Sequence, residues 1–192
     1  VLRDSMRVLV AGDRGYIGAV LVPYVQAAGH EVVGLDIGWY DGCDFGPQPN
    51  GYEQRTGDIR DVTREDLDGF DAVIHLAAIS NDPIGHLSPD ATYSVNAHGA
   101  VRMAQMAKAA GVPRFLFSSS CSLYGAAGDK PVDETGLLKG IAGAAQIWRA
   151  LDACGVPEVL GVWNHEAGPA TRFTAIQIRQ RYPGHARNVL HV

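Results

Sequence analysis

Three glycines at a spacing of three, with one acid further on, are the residues of this chain best suited to do chemistry together. Gly12, Gly15 and Gly18 lie in Arg7-Val8-Leu9-Val10-Ala11-Gly12-Asp13-Arg14-Gly15-Tyr16-Ile17-Gly18, which reads as a buried strand, a glycine turn and the start of a helix. Asp36 follows 24 residues after Gly12, at the end of a second apolar run. Gly12 permits the tight turn and Gly15 lets backbone approach a pyrophosphate. Gly18 lets the helix pack on the sheet, so that its first N–H groups face the phosphates. A carboxylate at Asp36 accepts hydrogen bonds from an adenosine ribose and repels a 2′-phosphate, so the pattern predicts NAD in preference to NADP. Glycines alone would make only a turn. Here the strand before them, the helix after them and the acid beyond all agree. No Gly-Lys-Ser/Thr closes the turn, which separates it from a phosphate-binding NTPase loop.

The elements that must hold this turn can be traced along the chain. Residues 17–28 carry apolar side chains at helical spacing and stop at Gly29, a C-cap; Pro23 inside the run implies a kink or a place in the first turns. Residues 31–35 read as a second strand, 38–51 as a long Gly/Asp/Pro-rich loop and 52–56 as a short third strand. Thr63 opens a short helix with Asp66 as a capping-box-like partner, so Glu65, Asp66 and Asp68 form a solvated helix start rather than a metal cluster. A strand at 72–76 leads into Ala77-Ala78, and His75 at its end reads as a satisfied core histidine before it reads as an acid/base. A helix over 89–110 turns Met103, Met106 and Ala107 inward, Gly111-Val112-Pro113 stops it, and a fifth strand at 114–117 runs into Ser118-Ser119-Ser120. Strands alternating with helices predict an α/β, Rossmann-type three-layer fold with a parallel sheet, incomplete at its C-terminus. The polar motifs all fall at the C-terminal ends of the strands, where such sheets bind ligands.

Bulk properties narrow the partners. The chain has 192 residues and a net charge of −5, which gives no general reason to expect nucleic acid. Charge is uneven: residues 1–136 carry −8 and 137–192 carry +3, with no acid after 166. Cys43, Cys121 and Cys154 are odd in number and far apart, as in a reduced intracellular protein. No apolar run approaches the roughly 20 residues that span a bilayer, and no signal peptide is visible. The expectation is a cytoplasmic protein without a membrane partner, in which residues 1–5, ahead of Met6, lie outside the fold.

Gly12-Asp13-Arg14-Gly15-Tyr16-Ile17-Gly18, Gly57-Asp58-Ile59-Arg60-Asp61, His75-Leu76-Ala77-Ala78, Val95-Asn96 and Ser118-Ser119-Ser120-Cys121-Ser122-Leu123-Tyr124-Gly125 occur in that order. Together they resemble the extended short-chain dehydrogenase/reductases, specifically the NAD-dependent nucleotide-sugar epimerases and dehydratases, over about 6–136. The resemblance implies that Tyr16 and Ile17 cover the pyrophosphate, that Asp58 and Ile59 flank the adenine, and that Leu76, Ala77 and Ala78 line the nicotinamide side. Asn96 would steady the central helix near the cofactor, Ser118 would lie against the cofactor, and Ser120 would be the catalytic hydroxyl that bonds the reacting sugar hydroxyl. Tyr124 would belong to a structural Tyr-Gly. The resemblance further implies transient hydride transfer on a nucleotide sugar, with a tyrosinate as base and a lysine four residues later on the same helix face to lower its pKa. Where that pair should stand, the chain reads Ala144-Ala145-Gln146-Ile147-Trp148-Arg149, and no Tyr-x-x-x-Lys comes after Ser120. The alternative expectation is therefore a dinucleotide-binding module without turnover. The resemblance implies a homodimer joined through two helices per subunit; the first, about 89–110, is present here and the second is replaced, which tells against that homodimer.

From about Leu137 the sequence is similar to something else. Ala145-Gln146-Ile147-Trp148-Arg149-Ala150-Leu151, Gly155-Val156-Pro157-Glu158-Val159-Leu160-Gly161-Val162-Trp163 and Ile176-Gln177-Ile178-Arg179-Gln180-Arg181-Tyr182-Pro183-Gly184-His185-Ala186 resemble an internal stretch of the UbiD-type decarboxylases. A decarboxylase fragment is the third, least favoured functional reading, because no flavin or metal ligand accompanies the stretch. His165-Glu166 has no His-Glu-x-x-His around it and reads as an exposed loop, so no metal is expected. The division predicted is an NAD-binding domain over 1–136 and a divergent α/β segment over 137–192, such as a frameshift, a fusion or an assembly error would join. Within that segment 141–154 reads as a helix, and 159–163 and 172–179 as strands placed to extend the sheet.

Overall fold

The computed structural model describes residues 5–43, 46, 49–80, 87–118, 159–163 and 174–175, the last two stretches as backbone. The predicted helix at 141–154, together with Ser120, Tyr124, Cys121 and Cys154, lies outside them.

β1 (Arg7–Ala11) is buried on both faces, and its alternation assigns each side chain to a layer. Val8 and Val10 pack with Val32, Ala72 and Val22 of α1 (Tyr16–Ala27). Leu9 and Ala11 pack on the other face, in a larger cluster with Val33, Leu35, Phe115 and the inner side of α3 (Ala100–Ala109). Leu9 is 1 % exposed, so Leu9→Ala would cost roughly 2–5 kcal/mol. Parallel pairing joins β1 to β2 (Glu31–Asp36) and to β4 (Ala72–His75), β2 to β3 (Glu53–Thr56), and β4 to β5 (Phe115–Ser118). β6 (Val159–Trp163) adds in parallel to β5, β7 (Thr174–Ala175) pairs with β6, and the sheet order is β3-β2-β1-β4-β5-β6-β7. This is the doubly wound order, with helices on both faces of a parallel sheet. β7 falls within the predicted strand at 172–179 and runs antiparallel to β6, beside the parallel strands β1–β6.

Three local features agree with the sequence after some revision. α1 begins at Tyr16, runs through Pro23, and ends in a Schellman turn: Gly29 adopts φ +85° and donates its N–H to Gln26 O at 2.9 Å, while His30 N–H reaches Val25 O at 3.3 Å. The short helix after Thr63 is a 3-10 turn (Glu65–Leu67) in which Asp66 accepts from both the N–H and the hydroxyl of Thr63 at 2.8 Å. The predicted long helix over 89–110 is not continuous α-helix. α2 (Pro89–Tyr93) passes through a π-helical stretch (Ser94–Gly99) before α3 begins. A Cβ at Gly99, the last residue of that stretch, would come within 2.7 Å of the Ile59 side chain, so helix and loop are closely packed there. Met103 and Ala107 are fully buried, as expected, with Met106 partly so. No helix among the described residues is long and apolar enough to cross a membrane.

Candidate dinucleotide site

The glycine turn is built from contacts that tolerate no side chain. Gly12 has φ +89°, and a Cβ there would stand 2.8 Å from Ala77 N; its own N–H donates to Leu35 O at 2.8 Å. A Cβ on Gly18 would come within 2.2 Å of Gly12 O and 2.6 Å of Asp13 O. Gly15 is the N-cap of α1 in extended conformation, and no side chain among the described residues caps the helix. The turn is thus clamped between β2 and β4, with the open end of α1 beside it. Tyr16 is 92 % exposed at that helix end and Ile17 is half-buried.

The end of β2 lies next. Asp36 is half-buried; its Oδ1 accepts the N–H of Gly38 at 2.8 Å, and its carbonyl accepts the N–H of Gly57. Asp58 is held by Arg60, whose guanidinium and backbone N–H both donate to its carboxylate and keep its pKa below the usual range. Ile59 is 5 % exposed and faces the core against Gly99.

On the far side of β1, Leu76 and Ala77 are half-buried and Ala78 is exposed. Leu76 N–H donates to Ala11 O at 2.8 Å, which carries β4 past the end of β1. Asn96, from the π-helical stretch, fixes the loop beyond: its Oδ1 accepts the N–H of Ile79 at 2.7 Å and its Nδ2 donates to Ile79 O at 2.9 Å. Asn96 therefore clamps the loop after β4 rather than merely steadying its own helix. Ser118 closes β5, half-buried. The described candidates, Gly12, Gly15, Tyr16, Ile17, Gly18, Asp36, Asp58, Ile59, Leu76, Ala77, Ala78, Asn96 and Ser118, all lie at or next to the C-terminal edge of the sheet or its turns.

His75 is core, and among the described residues it is not satisfied. Its ring is 2 % exposed, stacks between Phe115 and Phe117 at centroid distances of 6.0 and 5.8 Å, and neither nitrogen has a partner among the described residues. Burial lowers its pKa to about 4, so it is neutral at physiological pH.

Two residues between the glycines have roles that their spacing does not reveal. Asp13 is fully buried, with its carboxylate over Gly34, where a Cβ would stand 2.1 Å from Asp13 Oδ2. Tyr52 Oη donates to that oxygen at 2.9 Å; burial raises the Asp13 pKa and pushes the Tyr52 pKa up to about 12. Arg14 extends along the edge of the sheet, donating to Asp36 O and to Thr56 Oγ1 at 2.9 Å and to Asp41 Oδ2 at 2.8 Å. The available signal was the pair of charged residues between two glycines of a tight turn, which cannot both be solvent-facing when the chain is this close to the sheet.

Residues 8–162 match the model of the NAD dependent epimerase/dehydratase family. The chain belongs to that family. A second match, to the C-terminal domain of 3-octaprenyl-4-hydroxybenzoate carboxy-lyase, covers 137–192 and overlaps the first over 137–162. UDP-glucose 4-epimerase of Streptomyces lividans is 34 % identical over 140 residues, 68 % of this chain and 41 % of that protein. Among solved structures, MoeE5 in complex with UDP-glucose and NAD superposes with a TM-score of 0.63 at 26 % identity, over 77 % of this chain and 47 % of that one. The UDP-glucose 4-epimerase of Thermotoga maritima, solved with UDP-glucose, gives a TM-score of 0.70 over 82 % of this chain and 54 % of its own, and at 22 % identity it speaks for the fold. The chain spans about two-fifths of the curated epimerase and about half of the solved chains.

Proposed function

We propose that this chain binds NAD at the C-terminal edge of β1, β2 and β4, and that its family chemistry is transient hydride transfer on a nucleotide sugar. The observation that carries the reading is the turn itself: the positions of Gly12 and Gly18 leave no room for a Cβ, next to an uncapped helix start and to Asp36. Gly12, Gly15, Tyr16, Ile17 and Gly18 would hold the pyrophosphate, Asp36 the adenosine ribose, and Asp58 and the backbone of Ile59 the adenine. Leu76, Ala77, Ala78, Asn96 and Ser118 would bound the nicotinamide side, Asn96 by fixing the loop at Ile79. When bound, NAD supplies the hydride acceptor for a sugar carbon. Ser120 would hydrogen-bond the reacting hydroxyl.

A second reading, dinucleotide binding without turnover, is favoured by one observation: no Tyr-x-x-x-Lys comes after Ser120. The start of the second match at 137 supports a division near 136, while the first match runs on across it to 162.

Calorimetric titration with NAD+ and NADP+ tests binding, with NAD+ expected to bind more tightly; binding of neither sinks both readings. Asp36→Ala should weaken NAD+ about tenfold or more, as loss of a hydrogen bond to a charged group does. Unchanged affinity would remove Asp36 from the ribose role. Incubation with NAD+ and UDP-sugars at high protein concentration separates turnover from binding alone: an epimer or an absorbance signal of NADH favours the first, their absence the second.

A further inference from the structure

The end of β2 carries more charge than an NAD site needs. Asp36 alone would repel a 2′-phosphate, yet an arginine lies beside it. Arg14 rises from the glycine turn, and its guanidinium bridges the ends of β2 and β3 through Asp36 O and Thr56 Oγ1. An arginine at this place in a Rossmann sheet is the group that receives a 2′-phosphate. Here it is already taken. Asp41 Oδ2 lies 2.8 Å from Arg14 Nη1, and the pair is not accidental in its geometry. The turn at 38–41 returns Asp41 to the arginine: Asp41 N–H donates to Gly38 O at 3.2 Å, and Gly38 adopts φ +76°. A Cβ on Gly38 would stand 2.7 Å from Asp41 Oδ2 and 3.2 Å from Arg14 Nη1, so a side chain there would crowd the pair.

We propose that Asp41, seated on Arg14 by the 38–41 turn, is a specificity-determining residue that acts through Arg14, neutralising the guanidinium that would otherwise accept the 2′-phosphate of NADP. Two carboxylates then reject NADP by different means, Asp36 by direct repulsion and Asp41 by occupying the cation. This rests on the reading of the edge as a dinucleotide site. Arg14 is fixed on its other side by Asp36 O and Thr56, so removing Asp41 frees one edge of the guanidinium without releasing the side chain.

The test is the ratio of NADP+ to NAD+ affinity, measured by calorimetry on the full chain. Asp41→Asn, which keeps the size of the side chain at a largely exposed position, should raise the ratio about tenfold, the effect of freeing one charge-assisted donor. Asp41→Glu, which keeps the charge, should leave the ratio as in the wild type. Combined with Asp36→Ser, Asp41→Asn should raise it about a hundredfold, and Arg14→Met in that double variant should abolish the gain. A structural role for Asp41 would lower both affinities together and leave the ratio fixed. A ratio unmoved by Asp41→Asn while NAD+ still binds overturns this inference alone; a gain that survives Arg14→Met overturns it too. Wild-type protein that binds neither dinucleotide overturns the site and this inference together.

Discussion

Around the end of β2 the C-terminal edge of the sheet is held by charge: Arg14 spans Asp36, Asp41 and Thr56, with Asp58 and Arg60 paired close by. Around the end of β4, on the other side of the same glycine turn, it is held by backbone and one neutral amide, Asn96 on Ile79, above a histidine that burial keeps uncharged. The two ends therefore respond to different perturbations. Charge at a half-exposed surface is adjustable and screened by salt, whereas close packing and buried hydrogen bonds are indifferent to salt and intolerant of a methyl group.

The largest effect should come where both ends meet. Gly18→Ala places a Cβ against two backbone carbonyls, and it should cost more than about 4 kcal/mol or prevent folding. Urea unfolding within about 1 kcal/mol of wild type would mean that the turn can yield, and the shape argument would fail.

Next comes His75. Its folded pKa of about 4 lies below the ordinary 6.5, so the unfolded chain takes a proton that the folded chain refuses. The stability it contributes is full above about 6.5 and is lost as pH falls toward 4, to a total of about 3 kcal/mol. His75→Leu should flatten the loss of stability between pH 7 and 5 relative to wild type. Equal pH dependence in the two proteins would show that the ring finds a proton partner.

Asn96→Ala strands the N–H and C=O of Ile79 and should cost about 2 kcal/mol, unchanged by salt. A salt-dependent loss would blur the contrast between the two ends. Smallest of all, Asp41→Ala should cost under about 1 kcal/mol, shrinking further in high salt, because its carboxylate is 55 % exposed. A larger cost, persisting in salt, would make the Arg14 network structural rather than discriminatory.

Much of this was legible in the chain. The strands at 31–35, 72–76 and 114–117 each came within one residue of their observed ends, because a doubly covered parallel strand must be apolar throughout. The π-helical stretch inside the helix over 89–110 was not legible, since apolar spacing marks a helix and does not set the hydrogen-bond register of each turn. Sequence predicts a satisfied His75; it places the residue at a strand end but cannot show that its neighbours on β5 are two phenylalanines. The antiparallel β7 was equally hidden, because direction is a property of pairing and not of composition.

Sequence alone determined the glycine turn, the acid after β2 and the order of the motifs, because spacing along one strand-turn-helix unit is local. It also determined the missing Tyr-x-x-x-Lys, which is a matter of composition at fixed positions. Only the tertiary structure decided what Asp13 and Arg14 do. Between two glycines they look alike, two charged residues in one turn. The fold buries the first over Gly34 and sends the second out to Asp36, Asp41 and Thr56, because the strand on which the turn lands leaves room for a carboxylate underneath and acceptors at its rim.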